Sequence, residues 1–263
     1  PNKGARLSPV GTTLGTTPVA YVPSAGRFVV FGRGFNPDRI RVWHVKDDGT
    51  VVVNGTKADT PLTKEGAVYL RPGPVHLANT IYLASRSGKN GNGTGRTIRL
   101  RLVPKPWTRV SSVVDLLPGT ETGTSPVAMT TDGKMLLVAW MQTHKPGLSY
   151  TKLRTGVALV DKKGKVLKRV LKIPGQPDLL EAESAVYHRR HFVVLIGNYL
   201  TVFDKQLKVV LPATDLKIWK GPSGPMIAGL RMFDDGQDLL FVYTKGYGLF
   251  TLKLRRVHID NLP

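Results

Sequence analysis

The chain has 263 residues, 41% of them hydrophobic, and no cysteine. That suffices for one large β domain or two small ones, and it excludes a disulfide framework, thiolate metal ligands and a Cys nucleophile. Lysine and arginine number 38 against 18 acids, a formal charge of +20. Such a field draws polyanions: nucleic acid, an anionic membrane surface, an acidic glycan or an acidic protein. The basic residues are spread along the chain rather than gathered in a tail, so they are expected on a folded surface.

The chain begins with a stretch lacking the apolar core of a signal peptide, and no apolar run reaches the roughly 18 residues of a membrane-crossing helix. The expected location is therefore a virion or the cytoplasm, with secretion left open. Residues 7–14 are expected to pair with the far end of the chain.

From residue 18 onward the sequence falls into short apolar runs. Pro18-Val-Ala leads into the run 27–31, then 39–45, a Lys-Asp-Asp-Gly turn and the valines 51–53. A second series runs through 66–70, 80–84, 97–103 and 109–116, interrupted by the Gly/Asn-rich loop 87–95. The third is the clearest. Ser125-Pro-Val-Ala is followed by Thr131-Asp-Gly-Lys, the run 135–140, the run 157–160, Asp161-Lys-Lys-Gly, and 165–173. A fourth covers 184–188, 191–196, 199–203 and 208–211; a fifth covers 226–233, 238–243, 248–254 and 256–259. The one helix candidate is short, at 178–184.

Short β-rich runs joined by Asp/Gly turns are antiparallel hairpins. Each series repeats one grammar: an opening with small residues, a wholly apolar second run, an alternating third, a Val-rich fourth. The openings fall near residues 18, 66, 126, 184 and 226. The expected fold is all-β, a single β-propeller of five four-stranded blades near 18–62, 63–119, 120–175, 176–221 and 222–263, with 1–17 closing the ring. The alternative is a β-sandwich over residues 1–120, suggested by Gly34-Phe-Asn-Pro, with Pro104-Lys-Pro-Trp107 as linker to a partial propeller. The apolar second runs are expected to be covered on both faces. The third runs, such as Ile98, Leu100 and Leu102 alternating with Arg99 and Arg101, are expected to be dry on one face and wet on the other.

The acids Asp47, Asp48, Asp132, Asp161, Asp204, Asp234 and Asp235 recur before Gly or Lys, where Asp bonds its own backbone in a tight turn. The histidines are His44, His76, His144, His188, His191 and His258. His188-Arg-Arg-His191 has a ligand-like spacing but carries two arginines, so it is expected to be a solvated basic turn. No metal and no cofactor are expected. The basic pairs Arg39/Arg41, Arg99/Arg101, Lys152/Arg154, Arg189/Arg190 and Arg255/Arg256 are candidate contacts for a polyanion or an acidic partner. Trp107 and Trp219 are candidate stacking platforms, whereas Trp43 and Trp140 are expected in the core.

The five-unit grammar resembles five-bladed propellers, which include furanosidase-type hydrolases. That resemblance implies carboxylates on the innermost strands. Only Glu181 and Glu183 lie near such an opening, with Glu65 and Glu121 farther off, so the enzyme reading is set aside here. A compact, Cys-free, basic β-protein also resembles structural components of tailed-phage particles. This second resemblance implies a non-enzymatic binding or assembly module of the tail, neck or capsid, meeting acidic partners, other copies of itself or nucleic acid. A lectin-like propeller or a nucleic-acid binder is the alternative.

Overall fold

The computed structural model describes residues 18–34, 39–57, 69–70, 73–88, 96–117, 122–143, 153–175, 183–217, 226–247 and 249–259. Expectations for residues 7–14, the loop centred on 91–95, and residues 35–38 and 178–182 lie outside them.

The described residues form five antiparallel sheets in chain order. The first is β1 (Val19–Val22), β2 (Arg27–Gly34), β3 (Arg39–Lys46) and β4 (Val51–Lys57). In the second, β5 (Tyr69–Leu70) and β6 (Val75–Leu77) both pair with β7 (Thr80–Gly88), followed by β8 (Arg96–Pro104) and β9 (Ser112–Asp115). The third is β10 (Thr122–Thr131), β11 (Met135–Thr143), β12 (Leu153–Asp161) and β13 (Val166–Val170). The fourth is β14 (Glu183–His188), β15 (His191–Ile196), β16 (Tyr199–Phe203) and β17 (Val209–Asp215). The last is β18 (Met226–Asp234), β19 (Leu239–Tyr247) and β20 (Leu249–Val257). Apart from β6, which shares β7 with β5, neighbouring strands within each sheet are consecutive in the chain. The fold is all-β, a five-bladed β-propeller of antiparallel meanders. Pro104-Lys-Pro-Trp107 is no linker: it closes β8 in a turn where Trp107 N–H donates to Pro104 O at 2.7 Å.

The turns follow the acids. Asp48, Asp132, Asp204, Asp234 and Asp235 each accept a backbone N–H two residues on, at 2.8–3.0 Å. Asp132 Oδ1 also accepts Met135 N–H, which pins the start of β11. These bonds fix where each hairpin reverses, and the reversal fixes which side chains face inward.

The chain divides into two compact units, one of residues 1–126 with 162–165, the other of 127–161 with 166–263. In the first, Ala20, Val22, Val29, Phe31, Ile40 and Val42 pack with Ile81, Leu83, Val103, Trp107 and Val110. The turn 162–165 belongs to this unit. Tyr82 Oη donates to Lys162 O at 2.7 Å. Gly164, at φ +87°, lies so close to Leu102 that a Cβ would stand 2.9 Å from its Cδ2.

In the second unit one cluster joins Leu137, Ala139, Val157 and Leu159 to Phe192, Val194, Ile196 and Phe203. Another joins Val193, Leu195, Leu200 and Val202 to Met232, Leu239 and Phe241. Every residue of β15 is buried, so its two faces feed two different clusters. Each large aliphatic or aromatic side chain buried this way contributes about 1.5–3 kcal/mol. Trp43 and Trp140 are fully buried, as their sequence context suggested.

The third strands depart from expectation. Arg101 in β8 is 0% exposed, and His44 in β3 is 1% exposed. β3 and β8 are interior on both faces, whereas residues 251–256 of β20 are exposed. Water instead reaches the fourth strands, such as β13, where Leu167, Lys168 and Arg169 are exposed. The physical reason is sheet layering: when both faces of a sheet are covered, its central strands are dry and only the outer edge is wet.

Candidate functional site

The basic pairs divide by burial. Arg41 and Arg154 are half-buried, while Arg189, Arg190, Arg255 and Arg256 are exposed. Arg99 Nε donates to Asp115 Oδ1 at 2.7 Å across the β8–β9 ladder. Arg101 is corrected from a surface contact to an interior guanidinium, its Nε donating to Ser85 Oγ at 3.1 Å. Arg101 and Ser85 thus make a polar, buried pair on the β7–β8 ladder, which alternation alone misreads as wet. The side chain of Arg39, together with Lys152 and Trp219, lies outside the described residues.

Trp107 is likewise corrected. At 3% exposure it is no stacking platform. Its Nε1 donates to Asn79 O at 3.1 Å. Around it gather two histidines. His44 Nε2–H donates to Trp107 O at 3.1 Å, and His76 meets the indole edge-on with ring centroids 6.0 Å apart. Burial pushes the pKa of both imidazoles below the usual histidine value; for His44 the Trp107 carbonyl opposes that shift and the Arg27 charge adds to it. Both imidazoles are therefore neutral at pH 7, His44 buried and His76 half-buried.

The β14–β15 turn was expected to be a solvated basic loop. Its arginines are exposed, but His188 and His191 are buried. His188 Nδ1–H donates to Asp234 Oδ1 at 2.8 Å, and His191 Nδ1–H donates to Arg189 O at 2.8 Å. Arg189 and Arg190 are both left-handed, at φ 44° and 69°, the geometry of a two-residue type I′ hairpin. A second pair, His258 and Asp238, bonds at the end of the last sheet beside Arg256, which lies 3.4 Å from Asp235 and 3.5 Å from Asp238. Among the described residues no group of three His, Asp or Glu is placed to hold a metal ion.

Carboxylates available for acid–base chemistry are thus few among the described side chains. Asp48, Asp132, Asp204, Asp215, Asp234 and Asp235 accept backbone N–H groups, and Asp115 and Asp238 are paired with Arg99 and His258. The glutamates are different. Glu183 is the first residue of β14, and Glu121 immediately precedes β10. Glu65, Glu121 and Glu181 lie outside the described residues, as does the side chain of Glu183.

No family model matches the sequence, and no curated protein matches it. Solved structures do resemble it. A thermostable family-43 glycoside hydrolase aligns over 95% of this chain and 91% of its own, at 14% identity and a TM-score of 0.54. An α-L-arabinanase from Penicillium chrysogenum, complexed with arabinobiose, aligns over 89% of this chain and 72% of its own, at 11% identity and a TM-score of 0.55. An α-L-arabinofuranosidase from Fusarium graminearum aligns over 90% and 73%, at 12% identity and a TM-score of 0.53.

At these identities the likeness is one of fold. It still overturns an expectation. The propellers this chain resembles are sugar-cleaving enzymes, not phage tail or neck proteins, so the reading as a non-enzymatic virion module is withdrawn. The style of composition that suggested it, basic and Cys-free, does not report architecture.

Proposed function

We propose that the chain is a glycan-cleaving propeller of the glycoside-hydrolase kind, acting on an arabinan-like or furanoside-bearing polysaccharide. The observation that carries this reading is the alignment of nearly the whole chain on a family-43 glycoside hydrolase. Glycosidic hydrolysis needs a protonated carboxyl to give its proton to the leaving oxygen and a second carboxylate to activate water or attack the sugar. Among the described aspartates, Asp48, Asp132, Asp204, Asp234 and Asp235 are committed to turns, and the glutamates are the first candidates for the acid. Glu183 is the first residue of β14, and Glu121 comes just before β10 in the sequence. The formal charge of +20 favours a polysaccharide that itself carries acidic groups, since the field raises its local concentration.

The test is hydrolysis of linear arabinan, arabinoxylan, a pectic arabinan and an aryl α-L-arabinofuranoside, followed by reducing-end assay and by NMR of the anomeric configuration. Release of sugar, with Glu183→Gln or Glu121→Gln lowering kcat by roughly a hundredfold or more, supports the reading. Failure of the wild-type chain to cleave any of these, or full activity in the variants of all four glutamates, refutes it.

A further inference from the structure

Four hairpins of the second unit turn at one end of it, at 131–135, 188–191, 203–209 and 234–239, and every residue of these turns is described. Side chains tie the turns together. Lys205 Nζ, after β16, stands 3.9 Å from Asp132 Oδ2, after β10, and 5.7 Å from the ring centroid of Tyr187, which leads into the turn after β14. Lys168 of β13 joins them through a bond from Nζ to Gln206 O at 2.8 Å. The bond from His188 to Asp234 brings in the fourth turn. Around these contacts Lys134, Lys168, Arg189, Arg190 and Lys208 are exposed, and the Lys205 side chain is 42% exposed. The acids among them are held by backbone. The Asp132 side chain is 1% exposed and its Oδ1 accepts Lys134 and Met135 N–H, while Asp204 Oδ1 accepts Gln206 and Lys208 N–H. Among the described residues, no carboxylate pairs with Lys134, Lys168, Arg189, Arg190 or Lys208.

The tip of this surface is strained. Arg189 and Arg190 hold the two left-handed φ angles of their turn, a conformation that Asn and Gly adopt at lower cost. The turn is braced from beneath by buried His188, bonded to Asp234, and by buried His191, bonded to the Arg189 carbonyl. Strain kept in this way points to a use for the side chains that cause it. A solvated basic face needs only charge, which any turn residue could carry without strain. A pair of guanidinium groups adds a planar fork of donors that takes a carboxylate two bonds at a time. The lysines on the adjoining turns then extend the positive surface along a chain of such groups. The aromatic ring among these cations, Tyr187, is engaged by Lys205 on one side and packs on Phe192 with centroids 5.1 Å apart, so it offers no platform for a base. We propose that this end of the second unit, led by Arg189 and Arg190, is a binding surface for the carboxylate groups of an acidic polysaccharide. The choice of a polysaccharide rests on the glycan-cleaving reading; the binding surface itself does not.

The test uses the full chain and a fluorescein-labelled linear oligogalacturonate, with a neutral linear arabino-oligosaccharide and single- and double-stranded DNA of equal charge as comparisons. Anisotropy is expected to show the oligogalacturonate binding roughly tenfold or more tighter than any comparison, and weakening with added salt. Arg189→Asn with Arg190→Gly should weaken that binding roughly tenfold and flatten its salt dependence, since two cationic contacts are gone. The same variant relieves the turn, so its urea midpoint should rise, and lost folding cannot account for lost binding. Lys134→Gln with Lys208→Gln should weaken binding as well. Lys46→Gln with Lys253→Gln removes equal charge from exposed positions elsewhere and should leave affinity within about twofold. Full affinity in the arginine variant overturns the inference, and so does an equal loss in the Lys46/Lys253 variant, which would make the whole-molecule field the cause. DNA binding as tightly as the oligogalacturonate also overturns it, by making the occupant a nucleic acid. Hydrolysis of neutral arabinan is measured beside these. Cleavage without oligogalacturonate binding refutes this inference and leaves the glycan-cleaving reading standing; arginine-dependent binding without cleavage supports this inference and refutes only that reading.

Discussion

Gly156→Ala tests the packing of the second unit at its tightest point. Gly156 lies directly across the β11–β12 ladder from Trp140. A Cβ placed on it would stand 2.6 Å from Cε2, 2.7 Å from Cζ2 and 2.8 Å from Nε1 of the indole. Those distances are far inside van der Waals contact, so the indole or the strand must move. The indole is not free to do so. Its Nε1 donates to Gln142 Oε1 at 2.5 Å, and Gln142 Nε2 donates on to Leu171 O at 2.7 Å. Overpacking of this kind costs about 1–3 kcal/mol, and a buried hydrogen bond broken to relieve it adds about 1–3 kcal/mol. The expected loss is about 2–6 kcal/mol. At about 2–4 °C per kcal/mol for a chain of this size, the melting temperature should fall by roughly 4–24 °C. Urea unfolding followed by tryptophan fluorescence measures it directly. Trp140→Phe removes the offending edge, so Gly156→Ala in that background should cost at least 1 kcal/mol less than in the wild type. A Gly156→Ala cost below about 0.5 kcal/mol, or perfect additivity in the double variant, would refute the argument that close backbone approach is why glycine stands there.

Two further predictions rest on the first unit and on a turn. Because burial holds His44 and His76 below the ordinary histidine pKa, the unfolded chain takes up their protons first. Their contribution to stability is complete above the unfolded pKa of about 6.5 and is lost as pH falls from there through the folded values. Melting temperature should therefore drop between pH 7.5 and 5, and His44→Gln with His76→Gln should flatten that dependence. Separately, replacing Arg189-Arg190 by Asn-Gly in the left-handed β14–β15 turn should raise stability by about 1–2 kcal/mol, read from the urea midpoint, because both residues there have positive φ.

Much of the architecture was legible in the sequence because its determinants are local. Asp132-Gly133 and Asp234-Asp235-Gly236 announce hairpins through bonds that span two or three residues. The apolar run 191–196 announces a strand dry on both faces. What was illegible depends on what lies across the sheet. Arg101 alternates with leucines as a surface residue would, yet Ser85 on the neighbouring strand gives it a polar interior partner. Trp107 sits beside two prolines and a lysine, yet Asn79 and His44 draw it inward. No period in the sequence records those long-range pairings. The enzyme reading was set aside for a related reason. It was sought as a pattern of acids, whereas the fold that argues for it is carried by hydrophobic spacing and turns, which many unrelated sequences satisfy.

The bond from Tyr82 to the Lys162 carbonyl bears on how the protein comes off the ribosome. Most contacts in a meander of hairpins close within a few tens of residues, so each sheet can form soon after it emerges. The first unit is an exception. Its second sheet is finished by residue 115, but the turn 162–165 that completes the unit, with Gly164 seated against Leu102 and Val114, has yet to be made. At about 5–20 residues per second the wait is a few seconds. During that interval the flank formed by Tyr82, Leu102 and Val114 is exposed in the nascent chain, and it is there that a chaperone would find apolar surface to hold.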